Sequence, residues 1–228
     1  MNLTPAKGTG RYISIKADGL FHEKSEQGVP GAKKRTWELK DGTKGEKWEL
    51  LYSDIKDVYI KDVAFEDSDF GENLLIMLTD GNPENDIILA ESTASNFGTD
   101  LMKKLPNIIF SEKLTLRPYA FETEEGKERR GVTILQGTDE NGDEKKLKDF
   151  FWDGEQNLHG IPQADKTKTH DKDDWRIHFI NVKKFLTNYT KENIIPKIDS
   201  ERVFEKPEAG SSMTSPVNES DPTSDIPF

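Results

Sequence analysis

The chain has 228 residues, a formal net charge of −11, 33% hydrophobic and 33% charged residues, and no cysteine. The lack of cysteine excludes disulfide frameworks, thiolate metal sites and cysteine nucleophiles. Its longest apolar runs, such as residues 74–78, fall far short of the roughly 20 residues of a membrane-spanning helix. The first ten residues have no apolar stretch of the signal-peptide kind, so we expect a cytoplasmic protein.

The clearest change in composition falls near residue 205. Residues 205–228 are rich in Ser, Pro, Thr, Asp and Glu. They hold one lysine against five acidic residues, a net charge of −4, which leaves −7 for residues 1–204. Such a segment cannot bury enough apolar surface to offset the entropy lost on folding. We therefore expect one folded domain over residues 1–204 and a disordered acidic tail over residues 205–228.

Short apolar segments separated by Asp-Gly and Asn-Gly turns are typical of an antiparallel meander. They predict strands over residues 11–16, 35–39, 47–53, 57–65, 73–79, 86–91, 113–123, 129–136 and 145–151. Helical spacing followed by a proline predicts a helix over residues 95–104. A second helix is predicted to follow Asp173 or Asp174, which would cap it. We expect a mainly β fold, an OB-like five-stranded barrel with extra hairpins, a mid-chain helix and a C-terminal helix.

The late helix has a clear amphipathic pattern. Its apolar residues fall on one helical stripe: Trp175, Phe179, Val182, Phe185, Leu186 and Tyr189. We interpret this stripe as a contact with the core, and a partner-binding groove is the alternative.

The sequence ends in Asp225, Ile226, Pro227 and Phe228. This ending resembles the C-terminal tip of the bacterial single-stranded-DNA-binding proteins, in which a run of aspartates precedes Ile-Pro-Phe. Here prolyl and hydroxyl residues replace most of those aspartates, so the tip is a weaker anion than the family's. An ordinary solubilising tail is the alternative.

The resemblance implies a function. In that family the tip recruits replication, recombination and repair proteins, and it competes with DNA for the protein's own basic groove. A terminal Phe supplies an apolar anchor, and its carboxylate can pair with a basic residue. The resemblance covers only the tail, and the body looks more like that of a bacteriophage-encoded member acting in the host bacterial cytoplasm. The bacterial proteins are typically tetrameric, so a homo-oligomer is one possible assembly.

Binding of single-stranded DNA needs cations near the phosphates and exposed aromatic rings on which bases stack. Lys33, Lys34 and Arg35 come shortly before Trp37 in the sequence, and together these residues form our first candidate surface. Trp48, on the next predicted strand, either extends this stacking surface or fills the core.

The strand predicted over residues 113–123 offers a second candidate surface. Alternation along the strand separates an apolar face from a face with Arg117, Tyr119 and Phe121. We predict that this second face stacks on bases. The alternative is that Tyr119 and Phe121 pack under a loop or under the late helix.

Enzymatic functions have weaker support in the sequence. A metal nuclease would use a set such as Asp18, Glu38 and Lys40, but the Glu-x-Lys pattern recurs by composition in a chain one third charged. We expect no catalytic residues, no metal site and no cofactor. The negative charge of the body leaves one other class open: an acidic adaptor or DNA mimic that uses the tip to bind host replication proteins without coating DNA.

Overall fold

The computed structural model describes residues 11–38, 42–69, 71–165, 167, 169–201 and 203–204. The acidic tail predicted over residues 205–228, with Asp225, Ile226, Pro227 and Phe228 at its tip, lies outside the described residues. The final residue of the strand predicted over residues 35–39 lies outside them as well.

Ten strands of the described residues form one mixed sheet. Their bounds are β1 (Arg11–Ile15), β2 (Phe21–Ser25), β3 (Lys33–Glu38), β4 (Lys44–Tyr52), β5 (Ile55–Ser68), β6 (Gly71–Thr79), β7 (Ile87–Ser92), β8 (Leu114–Glu122), β9 (Glu128–Thr138) and β10 (Glu144–Lys146). Their order across the sheet is β10-β9-β8-β5-β6-β7-β1-β2-β4-β3. The pairing of β1 with β7 is parallel, and the other pairings are antiparallel.

The prediction of a mainly β fold is confirmed, whereas the OB-like barrel is not. The described strands form an open sheet, with β10 at one edge and β3 at the other. The sheet is bent at β5, because Ile55 and Val58 pair with β8 while residues 59–68 pair with β6. Asp57, between the two residues that pair with β8, has φ 57°, a left-handed conformation that is uncommon outside glycine. The register shifts between Ile55 and Val58 and between Ile60 and Asp62 bend the strand further.

The turn between β1 and β2 reaches across to β8. Gly19 in this turn has φ 71°, and a β-carbon built there would lie 2.5 Å from the backbone nitrogen of Ala120. Both the positive φ and the close approach require glycine. Strands far apart in the order of the sheet are thus brought into contact at one end.

The observed strands differ from the predicted ones at two places in the chain. Strand β2 was not predicted, because Phe21 is its one large apolar residue and the next two buried side chains are His22 and Glu23. The strand predicted over residues 145–151 is wrong beyond Lys146. After that residue the chain leaves the sheet, and the backbone N–H of Phe150 donates to the carbonyl oxygen of Lys103.

Among the described residues, three α-helices accompany the sheet: α1 (Asn96–Lys104), α2 (Lys172–Tyr189) and α3 (Ile195–Glu201), with a π-helical turn, Thr190–Ile194, between the last two. The helix predicted over residues 95–104 is confirmed, and Ser95 caps it by accepting from the N–H of Gly98 at 2.9 Å. The cap predicted at Asp173 or Asp174 is wrong. Asp171 caps α2, since its carboxylate accepts from the backbone N–H of Asp174 at 2.9 Å. The carboxylate of Asp174 in turn accepts from the backbone N–H of Asp171.

The amphipathic stripe of α2 contacts the core over only half of its length. Leu186 is buried, and Val182, Phe185 and Tyr189 are partly buried against the core. The first half of α2 extends away from these contacts, so Trp175 and Phe179 remain 41% and 57% exposed. The prediction of a core contact is therefore wrong for these two residues.

The core lies between one face of the sheet and the helices. It contains Ile13, Ile15, Phe21, Leu74, Ile76, Leu78, Leu89, Leu116, Val132 and Ile134 from the strands and Leu101, Leu105, Leu186, Ile194 and Ile198 from the helical segments. Burial of these apolar side chains is the main stabilising term.

Helix α1 also completes the hydrogen bonds of strand β9. Asp100 accepts from the backbone N–H of Val132 at 2.6 Å, and Lys104 donates to the carbonyl oxygen of Val132 at 2.6 Å. Lys104 and Asp100 also pair with each other at 2.6 Å. These buried bonds satisfy backbone groups that β10 is too short to reach, and they fix the β8–β9 hairpin against α1.

Candidate nucleic-acid interface

The first candidate surface lies on one face of strands β2, β4 and β3. Glu49 in β4 stands opposite both Lys24 in β2 and Lys33 in β3. Arg35 stands opposite Lys47. Directly opposed residues of antiparallel strands project from the same face, and alternate residues of a strand share a face.

These side chains form what we call the basic cross-strand surface: Lys24, Lys33, Arg35, Lys47, Trp37 and Glu49. Four cations and one carboxylate come from three neighbouring strands, in a chain whose overall charge is −11. Lys24 and Lys33 are exposed, while Arg35, Trp37 and Lys47 are partly exposed. The surface is therefore a local concentration of positive charge on an acidic protein.

Glu49 pairs with two of the four cations of this surface and with a histidine beside it. Its carboxylate pairs with His22 Nδ1 at 2.8 Å, with Lys47 Nζ at 3.0 Å and with Arg35 Nη1 at 3.8 Å. Burial alone would raise the pKa of Glu49, but the hydrogen bonds from His22 and Lys47 outweigh it and lower the pKa to about 2. Glu49 is consequently ionised at neutral pH and orients the basic side chains around it.

Trp37 supplies the aromatic ring of this surface. It stands directly opposite Gly45 in β4, and its indole lies across the space that a side chain at Gly45 would fill. A partly exposed aromatic ring among cations is a group on which a base can stack.

The structure separates two of the predicted residues from this surface. Lys34 stands opposite Trp48, so both project from the other face of the hairpin. There Lys34 pairs with Glu46 at 2.6 Å. Trp48 therefore does not extend the surface that holds Trp37.

The second candidate surface lies on strands β8 and β9. Arg117, Tyr119 and Phe121 alternate along β8, and Phe121 stands opposite Arg129 in β9. Phe121 is 56% exposed. We call these four residues the β8–β9 aromatic surface.

Tyr119 anchors the aromatic surface to the domain. Its ring lies 5.8 Å from that of Phe121, centroid to centroid. Its hydroxyl lies over Gly131, close to the carboxylate of Asp100, and burial together with that negative charge raises the pKa of Tyr119. The ring of Phe121 is exposed to solvent, as a base-stacking face requires, whereas the ring of Tyr119 is partly covered. Arg117, at the other end, pairs with Asp54 at 3.6 Å.

One turn contacts the strands of both surfaces. Asp18 in the β1–β2 turn accepts from His22 Nε2 at 2.9 Å, and the other ring nitrogen of His22 is bonded to Glu49. The neighbouring Gly19 lies against the backbone of Tyr119 and Ala120. The basic cross-strand surface and the strand of the aromatic surface therefore meet at this turn.

Sequence reasoning did not select Lys24, Lys47 or Arg129 for the candidate site. Lys24 lies on the strand that was not predicted. Lys47 and Glu49 alternate in a predicted strand, a signal that would have placed Lys47 beside Glu49. Arg129 and Arg130 are adjacent in the sequence, but pairing with β8 places them on opposite faces, and Arg130 pairs with Glu128 at 3.0 Å.

Other classes of site have little support in the described part of the chain. Its helices include none that combines the length and the apolar character needed to cross a bilayer. Nor do three or more His, Asp or Glu side chains among the described residues come together in a way that could hold a metal ion. No protein-family model, curated protein or solved structure was found to match the chain.

Proposed function

We propose that this protein binds single-stranded DNA without sequence preference, and protects it during DNA replication, recombination and repair. The protein acts by binding alone, without catalysis, and recruits partner enzymes through its C-terminal tip. The proposal includes a bacteriophage origin and action in the host bacterial cytoplasm.

The basic cross-strand surface is the observation that carries this proposal. It combines four cations with the indole of Trp37 on one sheet face. Phosphates would pair with the cations while a base stacks on the ring, a combination that tolerates any sequence because every base has an aromatic face. The nearby aromatic surface, with Phe121 exposed beside Arg129, supports a path for the strand that continues past the β1–β2 turn.

We also propose that the domain is OB-like in a looser sense than a closed barrel. Five consecutive strands, β8-β5-β6-β7-β1, lie side by side in the sheet, and each supplies side chains to the core. The close approach of Gly19 to β8 brings the turn after β1 back to the first strand of this group. Contact between the two ends of a five-strand group supports an OB-like arrangement.

Asp225, Ile226, Pro227 and Phe228 carry the recruitment part of the proposal through their resemblance to the bacterial tip. Phe228 would fill an apolar pocket in the partner, and its terminal carboxylate would pair with a basic residue. So short a motif gives modest affinity that salt weakens.

The test of DNA binding is a titration of the full chain with a labelled single-stranded oligonucleotide and with a duplex of equal length, followed by fluorescence anisotropy at two salt concentrations. A second version ends at Phe204, because the ring of Phe204 contacts Tyr59 at 5.1 Å and should be kept. We expect binding of the single strand over the duplex, weakening with salt, and tighter binding without the acidic tail.

Absence of binding by either version, checked by gel shift, would overturn the DNA-coating function and favour the acidic adaptor or DNA mimic. Equal affinity for duplex and single strand would overturn the specificity for unwound DNA. Unchanged affinity after removal of the tail would overturn its competition with DNA.

The recruitment function has its own test. A synthetic peptide of residues 220–228 should compete with the bacterial tip peptide for a host enzyme that reads it. The same peptide without Phe228 is the matched control and should not compete. Equal competition by both peptides, or by neither, would contradict recruitment through the tip.

A further inference from the structure

The first half of helix α2 presents apolar side chains to solvent on the side that faces away from the domain. Ile177 and Ile180 are 54% and 55% exposed. Leu186, which is buried in the core, lies nine residues after Ile177 and therefore on the opposite side of the helix. Two exposed isoleucines on the outer face of a helix are an apolar patch that needs a partner.

Two charged residues continue this outer face on either side of the isoleucines. Asp173, Ile177, Ile180 and Lys184 are spaced by four, three and four residues, which places them within about 60° of one another around the helix. Asp173 and Lys184 are both exposed. The outer face therefore reads acidic, apolar, apolar and basic along the chain.

This order is self-complementary under a two-fold axis. If two copies of α2 lie antiparallel with Ile177 of one against Ile180 of the other, the spacing places Asp173 of each copy opposite Lys184 of the other. Both copies then use the same surface in the contact, as a two-fold interface requires. Charge and apolar complementarity both point to the same occupant.

We propose that two copies of this chain associate through an antiparallel pair of α2 helices, centred between Ile177 and Ile180. The aromatic side of the helix is not part of this contact, since Trp175 and Phe179 stack on each other at 6.0 Å and the ring of His170 lies 5.1 Å from Trp175. The pairing would bury the outer face and bring Lys184 of each copy to Asp173 of the other. Asp173 also lies 3.9 Å from Arg176 of its own helix, in an exposed pair.

The contact is short, so it belongs with weak interfaces that bury less than about 1,200 Å². Sedimentation of the full chain from about 1 to 100 μM is the suitable range, and the chain is expected to shift from monomer to dimer across it. A chain that stays monomeric throughout would overturn the proposal.

Charge reversal tests which surface is used. Asp173→Lys alone and Lys184→Asp alone each place like charges opposite one another twice in the dimer, and each should raise its dissociation constant about tenfold or more. Mixing the two variants pairs each reversed residue with its opposite, so the mixture should form a heterodimer with nearly the original affinity.

The mixture separates a lost interface from a damaged helix. Asp173→Lys also weakens the acidic first turn of α2, but a misfolded helix would not be rescued by mixing. Failure of the mixture to dimerise would overturn the proposal. A second comparison replaces Ile177 and Ile180 by Ser, with Ile109→Ser as the control because Ile109 is 47% exposed elsewhere. Equal loss of dimer in the control would also overturn it.

Discussion

The indole of Trp37 rests on Gly45 so closely that a β-carbon at Gly45 would lie 2.2 Å from Trp37 Cζ2. The backbone of Gly45 is outside the left-handed region, so the position needs glycine for space and not for its conformation. Because Gly45 has no side chain, the indole of Trp37 can occupy the space above this residue.

Gly45→Ala is expected to push the indole off the sheet. Alanine suits this backbone better than glycine, so the free energy of unfolding should change little, while loss of one stacking ring should weaken single-stranded DNA binding about tenfold. Tryptophan fluorescence and an oligonucleotide titration measure the two effects. Glu46→Ala, on the neighbouring residue of the opposite face, is the control, and equal loss in that variant would contradict a role for Trp37.

Phe121→Ala tests the β8–β9 aromatic surface. Since the ring is 56% exposed, its removal should change the free energy of unfolding by less than about 1 kcal/mol. Affinity for single-stranded DNA should fall about tenfold, the worth of one stacked base. Phe179→Ala removes an equally exposed ring from α2 and should leave affinity unchanged. Wild-type affinity of the Phe121 variant would remove this surface from the DNA path.

Glu91 introduces a pH dependence of stability. It is buried in the core, where its carboxylate accepts from the backbone N–H of Ile15. Burial raises the pKa of Glu91 to about 7. The folded protein therefore holds this proton at pH values where the unfolded chain has released it, so stability falls as the pH rises from about 4.5 to above about 7.

Glu91→Gln should remove this loss, because glutamine keeps an acceptor for Ile15 without a charge. Urea unfolding at about pH 5.5 and about pH 8.5 measures it. The variant should gain about 2 kcal/mol on the wild type between the two pH values, because the unfolded chain has already released most of this proton at about pH 5.5 while the folded protein releases it only near pH 7. A difference between the two proteins that does not change with pH would contradict the prediction.

The sequence predicted the fold best where a continuous apolar run marks a strand. Strand β6, in which every residue from Leu74 to Leu78 is buried, was predicted from such a run. Strand β2 was not, since His22 and Glu23 are buried through the polar partners Asp18, Glu49 and Arg11. Glu49 and Arg11 come from other strands, so the local pattern around His22 and Glu23 does not reveal them.

The candidate site depended in the same way on pairing between strands. The sequence grouped Lys33, Lys34, Arg35 and Trp37 as one candidate surface, and of these Lys33, Arg35 and Trp37 share one face of β3. Only the register of β3 with β4 shows that Lys34 projects from the opposite face. Lys24 reaches this surface from β2, through a pairing that no spacing along the chain encodes.

Two matched double variants test whether one face of the β2–β4–β3 sheet binds single-stranded DNA. Lys24→Ala with Lys33→Ala removes two exposed cations from the basic cross-strand surface. Lys34→Ala with Lys44→Ala removes two cations from the other face of the same hairpin, with an identical change in net charge.

The measurement is the slope of the logarithm of affinity against the logarithm of salt concentration. The first double variant should bind more weakly, with a slope smaller by about 1.4, as expected for two lost phosphate contacts on a single strand. The second should keep the wild-type slope and affinity. Equal losses in both variants would show that net charge and not this face governs binding, and no loss in the first would contradict the account.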